Sequence, residues 1–137
     1  MKLSKTTEYA IRILSFMATD KNHIYSAKSI IEKLNIPQKY LRRIMTNLSK
    51  SNFIQSIQGR TGGYQFLTNP DNIFLSDIIE SVEGMDKYIG CVLGFNECSD
   101  SNPCSMHNSW IETKEKLFHT LTKTNLSSLG LNSIDKY

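Results

Sequence analysis

The sequence predicts a mainly α-helical chain with one small β-hairpin, and three observations predict it. Two apolar stripes with helical spacing are separated only by the short break Asn35-Ile36. Two stretches rich in β-forming residues, Phe53–Gln58 and Tyr64–Thr68, flank the glycine-rich tip Gly59-Arg60-Thr61-Gly62-Gly63. A last helical stripe near the C-terminus has no later element to cover it.

The elements follow in order. Ala10, Ile13, Leu14 and Met17 fall on one face of a first helix, which should end near Asp20–Asn22. Ser26 is a good N-cap for a second helix that repeats the spacing with Ala27, Ile30, Ile31 and Leu34. Pro37 suits the first turn of a third helix, where its missing N–H has no partner to lose, and Leu41, Ile44, Met45 and Leu48 carry the stripe. Helices joined by so short a turn, preceded by another helix, suggest a helix-turn-helix, and the hairpin behind them takes the place of a wing. A fourth helix is written by Leu75, Ile78, Ile79 and Val82 and closed by Gly84. From Lys87 to about Met106 periodicity disappears, and a loop of that length in a compact domain usually has a task. The final helix should run from about His107 to Asn125, with Trp110, Ile111, Leu117, Phe118 and Leu121 on a stripe interrupted by Lys114. The fold class is therefore a winged helix-turn-helix plus a long C-terminal helix whose uncovered stripe suits dimerisation. Residues 1–70 would form the DNA-binding region, 71–106 a linker helix and cysteine-bearing loop, and 107–137 the dimerisation helix and tail.

Composition narrows the function classes. A chain of 137 residues with 39% hydrophobic and 21% charged residues holds one core and is too apolar to be disordered. No run of about 18 apolar residues is present to span a membrane. The apolar stretch after Lys2 is broken by Arg12 and lacks a small-residue cleavage site, so a cytoplasmic location is expected. The net charge of +3 conceals an asymmetry: residues 1–70 carry 11 basic and 3 acidic side chains, and the remainder carry 5 and 10. A basic half favours a polyanion, and an acidic half keeps the rest of the molecule away from it.

On the third helix, Lys39, Arg42, Arg43, Thr46 and Lys50 lie opposite the apolar stripe, with Gln38 at its start. Arginine bonds guanine and glutamine bonds adenine in a major groove, and the N-terminal residues of such a helix reach base edges. Gln38, Lys39, Arg42 and Arg43 are the base-reading candidates; an ordinary solvated basic face is the alternative. Arg60, on the narrow hairpin tip, suits the minor groove or a phosphate.

All three cysteines, Cys91, Cys98 and Cys104, fall in the aperiodic segment, and His107 follows. An odd count argues against a disulfide framework, and thiolates gathered together repel unless a cation neutralises them. The gaps of six and five residues are wide for structural zinc and suit an iron–sulfur cluster better, with zinc and unligated or redox-active thiols as the other readings. For His107 a helix-capping or core role is the alternative to ligation. No C-x-x-C pair, phosphate loop or nucleophile–base motif supports an enzyme.

Met1-Lys2-Leu3-Ser4, the Pro37-Gln38-Lys39-Tyr40-Leu41 opening of the third helix, the Gly59-Arg60-Thr61-Gly62-Gly63-Tyr64 wing, the Val82-Glu83-Gly84 helix end and the three-cysteine loop occur in one order. In that order they resemble the Rrf2 family of bacterial transcription regulators, within it the IscR, NsrR and RirA type. The resemblance covers nearly the whole chain. It implies a homodimer joined through the C-terminal helix, with the cysteines holding a 2Fe–2S or 4Fe–4S cluster. It also implies a fourth ligand, either a histidine placed as His107 is or a first-helix carboxylate of the other subunit, the position of Glu8; a solvent-facing charge is the alternative for Glu8. The first cysteine gap is one residue longer than is usual in that family, which leaves the cluster type open. The function implied is a sequence-specific regulator whose affinity for an operator of imperfect two-fold symmetry follows redox state, iron or nitric oxide, with a zinc-binding or thiol-based regulator as the alternative.

Overall fold

A computed structural model describes residues 2–129. The tail of the expected dimerisation region, residues 130–137, lies outside the described residues.

Helix α1 (Lys5–Met17) starts where the Thr7 N–H donates to the Ser4 side chain at 3.2 Å, satisfying one of the donors that a helix start leaves unpaired. Ser26 does the same for α2 (Ala27–Leu34), accepting from the Ser29 N–H at 3.1 Å. Asn35 ends α2 in the left-handed region at φ 53°, which asparagine tolerates better than most residues. Helix α3 spans Gln38–Lys50. Pro37 is its N-cap, just ahead of the expected first-turn position, because its extended ψ of 136° leaves only its carbonyl inside the helical ladder.

Strands β1 (Ile54–Ile57) and β2 (Gly63–Phe66) pair antiparallel with Ile54 opposite Phe66 and Ile57 opposite Gly63. The hairpin is shorter than the sequence suggests, because the Leu67 and Thr68 N–H groups both turn to the Phe53 carbonyl and leave the ladder. Tyr25 and Tyr64 exchange backbone hydrogen bonds of 2.8 and 2.7 Å, which fastens the hairpin to the entrance of α2. Gly63 makes that approach possible: a Cβ there would lie 2.3 Å from the Tyr25 carbonyl oxygen.

Helix α4 (Leu75–Val82) sits between two cores. Its Ile78 joins the main cluster with Ile13, Leu14, Ile44 and Leu48, whereas Ile79 joins a smaller one with Met85, Tyr88 and Leu121. Helix α5 (Asp86–Ile89) is a short helix where the sequence suggests a loop from Lys87 onward; it is too short to display a period. Helix α6 spans His107–Lys123, ending slightly before the expected Asn125. It stops because Thr124 turns extended and its carbonyl accepts the Leu75 N–H at 2.9 Å, after which the Leu126 N–H donates to Ile73 at 2.7 Å. Leu117 and Leu121 of the α6 stripe pack into the smaller core, while Phe118 remains 47% exposed. Among the described residues, no helix is long and apolar enough to cross a membrane.

Candidate nucleic-acid interface and cysteine pocket

Helix α3 divides cleanly. Leu41, Ile44, Met45 and Leu48 are buried, whereas Gln38, Lys39, Arg42, Arg43, Thr46 and Lys50 are exposed. The Thr46 hydroxyl donates to the Arg42 carbonyl at 2.9 Å, so its proton is already engaged within the helix. Arg60 is exposed on the hairpin tip, and Gly62 closes the turn through an N–H bond to Gly59 of 3.1 Å. Gly62 cannot be replaced there without movement, since a Cβ would fall 2.1 Å from the Ile57 carbonyl oxygen. Between α3 and the hairpin lies a cleft of ≈400 Å³ lined by Met45, Thr46, Ser49, Lys50, Ser56 and Tyr64. Ser49 and Ser56 were not singled out by the sequence, and Tyr64 only as part of the wing. They belong to three separate elements, and only the fold brings them to one cleft.

The second site is the segment after α5. Cys91, Cys98 and Cys104 are free thiols, and with Phe95, Glu97, Asn102, Pro103 and His107 they line one pocket of ≈290 Å³. His107 opens α6 and is buried at 3% exposure, with Nδ1 3.7 Å from the Cys98 sulfur and Nε2 2.8 Å from a carboxylate oxygen of Asp100. Its backbone N–H donates to the Cys104 carbonyl at 3.1 Å, which seats it against the last cysteine. The Phe95 N–H, seconded by those of Leu93 and Gly94 and by Cys98, holds the Cys91 thiol below its ordinary range. Burial pushes the Cys98 thiol up, and negative charge on Cys91 adds to this. Among the described residues, no three histidine, cysteine or acidic side chains converge closely enough to hold a single metal ion. The four expected ligands thus share a cavity, with Cys98 in contact with His107.

Glu8 lies elsewhere. It does not line this pocket; it pairs with Lys5 at 3.1 Å and Lys2 at 3.8 Å, and the Lys5 hydrogen bond is the main cause holding its carboxyl below the usual range.

The N-terminal end of the cysteine segment is anchored twice. The Trp110 indole N–H donates to the Gly90 carbonyl at 2.7 Å, immediately before Cys91. Upstream, the Tyr88 hydroxyl donates to Glu83, and Lys87 approaches the other carboxylate oxygen at 3.2 Å. Burial alone would raise the Glu83 carboxyl, but hydrogen bonds from the Ser4, Tyr88 and Lys87 side chains outweigh it and hold the group below its usual range. Asp100 was missed by the sequence reading, and Glu83 entered it only within the Val82-Glu83-Gly84 helix end, with no role. Asp100 lies within the cysteine segment, so its closeness to His107 could have flagged it; Glu83 carried no such signal.

A family model described as "Rrf2: Iron-dependent Transcriptional regulator" matches residues 3–131. An HTH-type transcriptional regulator of Aquifex aeolicus is 31% identical over 131 residues, covering 94% of this chain and 91% of that protein. The HTH-type transcriptional regulator NsrR of Bacillus licheniformis is 26% identical over 134 residues, covering 96% and 94%. Among solved structures, CymR, the global cysteine regulator of B. subtilis, superposes with a TM-score of 0.80 at 27% identity and covers 97% of this chain and 98% of its own.

Proposed function

The chain belongs to the Rrf2 family of DNA-binding transcriptional regulators, which are not enzymes, and from that membership we propose that an iron–sulfur cluster in the cysteine pocket sets its affinity for an operator. One observation carries the proposal: three free thiols and a buried imidazole line a single pocket at the start of α6. Three thiols and an imidazole lining one cavity supply donors for an iron–sulfur cluster, since thiolate sulfur suits iron. Cys91, Cys98 and Cys104 would hold a 2Fe–2S or 4Fe–4S cluster, with His107 as the fourth ligand. Glu8 of a second copy is the other candidate, but it would first have to leave Lys5 and Lys2. When bound, the cluster supplies reversible electron uptake and sensitivity to iron supply and nitric oxide.

The chain's own residues do the rest. Gln38, Lys39, Arg42 and Arg43 read base edges, while Thr46, Lys50 and Arg60 hold the duplex backbone or minor groove. Trp110 ties the start of the cysteine segment to α6, and Tyr88 ties α5 to Glu83 at the end of α4. Helix α4 packs on α3, so a rearranged pocket has a route to the reading helix. A homodimer formed through α6 would set two such helices on half-sites about 34 Å apart or a multiple of it, on an operator of imperfect two-fold symmetry, where small rotations cost contacts.

Protein purified under strict anoxia should absorb in the visible, contain iron and acid-labile sulfide, and bind its operator with an affinity that changes when the cluster is removed. A colourless anoxic protein, or equal affinities with and without cluster, would overturn the proposal.

A thiol-based regulator is the second reading, and the Cys91 environment favours it: backbone N–H groups turned to its sulfur stabilise the thiolate form, the form that oxidants attack. Zinc has less support, since gaps of six and five residues between the cysteines are wide for structural zinc.

A further inference from the structure

His107 differs from the other histidines, His23 and His119, which are exposed. Its ring is almost fully buried, yet both nitrogens have a neighbour: Asp100 at 2.8 Å from Nε2 and the Cys98 sulfur at 3.7 Å from Nδ1. An ionised carboxylate only accepts hydrogen bonds, so the 2.8 Å contact requires the hydrogen to sit on Nε2. A neutral imidazole carries one N–H, so its Nδ1 is then bare. The first helical residue of α6 has a fixed backbone, and the His107 N–H bond to Cys104 holds it further. What remains to be set is the ring's tautomer and facing.

We propose that Asp100 is a positioning residue that fixes His107 as the Nε2–H tautomer and presents the bare Nδ1 to the cysteine pocket as its nitrogen donor. Metal-binding histidines commonly have their second nitrogen held in this way by a carboxylate, which orients the ring and raises its basicity. Here the carboxylate comes from the stretch between Cys98 and Cys104, so the segment carrying the sulfurs also aims the nitrogen. The use of Nδ1 as a ligand rests on the cluster reading above; the tautomer does not.

The test separates the two. In anoxic, cluster-free protein labelled with 15N-histidine, two-dimensional correlation NMR at pH 8 should show a His107 Nδ1 signal in the unprotonated range and Nε2 in the protonated range. Asp100→Ala should move both signals toward each other as the second tautomer becomes populated, and Asp100→Glu should restore the wild-type positions. Asp100 is 98% exposed, so the substitutions leave the packing intact, and circular dichroism checks this. A protonated Nδ1 in the wild type, or an Asp100→Ala spectrum identical to it, would overturn the proposal. In reconstituted and reduced protein, pulsed EPR should detect strong coupling to the His107 nitrogen, reduced or lost in Asp100→Ala. If the NMR result holds and no nitrogen coupling appears, the positioning role stands and ligation by His107 falls.

Discussion

The Trp110 indole N–H and the Gly90 carbonyl meet at 2.7 Å, fastening α6 to the residue before Cys91. Trp110→Phe keeps an aromatic ring and deletes this bond. The loss should cost about 0.5–1.5 kcal/mol in urea unfolding, and amide exchange should quicken across residues 90–106 while α3 is unaffected. Unchanged exchange in that segment would mean that the bond anchors nothing.

Arg42→Ala should cost on the order of 1–3 kcal/mol, concentrated at one operator position, whereas Lys50→Ala should weaken all sequences alike and reduce the salt dependence. Competition binding against a panel of single-base operator variants and random duplex distinguishes them. Equal losses on every duplex for both variants would remove the base-reading role of Arg42.

The Glu83 carboxyl is held below its usual value, so it stabilises the fold fully above the unfolded value of 4.5, and that contribution is lost as pH falls through the lower, folded value. Tyr88 is shifted the other way: burial, then the Glu83 bond, raises its phenol, so its contribution is complete below 10.0 and disappears as pH rises through the higher folded value. Unfolding free energy measured across pH should therefore decline on both flanks. Glu83→Gln should flatten the acid flank, and Tyr88→Phe the alkaline one.

Gly63→Ala places a methyl group 2.3 Å from the Tyr25 carbonyl oxygen, and both atoms belong to backbones that hydrogen bonds already fix. The hairpin must separate from the α2 entrance, with a cost of about 1–3 kcal/mol or more in chemical unfolding. Gly84→Ala meets no atom within 4 Å and is strained only by its positive φ of 83°, so it should cost less.

Helices α1 to α4 were legible in the sequence because each buries one face, and burial on one face of a helix writes a period into the chain. The winged helix-turn-helix order followed from the Asn35-Ile36 break and the glycines at the hairpin tip. Helix α5 was not legible, since its four residues are held by Tyr88 and Ile89 meeting a core built largely from distant elements. At the cysteine site, the three sulfurs and His107 stood out as residue types brought close in sequence. The Asp100 contact and the Glu83 hub did not, because charged residues in an acidic half look like solvated surface until the fold shows what they touch.

The bonds from Leu75 to Thr124 and from Leu126 to Ile73 join the two ends of the stretch that carries α4, α5, the cysteine segment and α6. That stretch is consequently a ring, clasped where it leaves and rejoins the body. A protease that nicks it once between residues 92 and 103 should yield two fragments that co-elute under native conditions and part only in denaturant. A change of shape around the sulfurs is thereby held within a closed circuit that meets the body at residues 73–75 and 124–126.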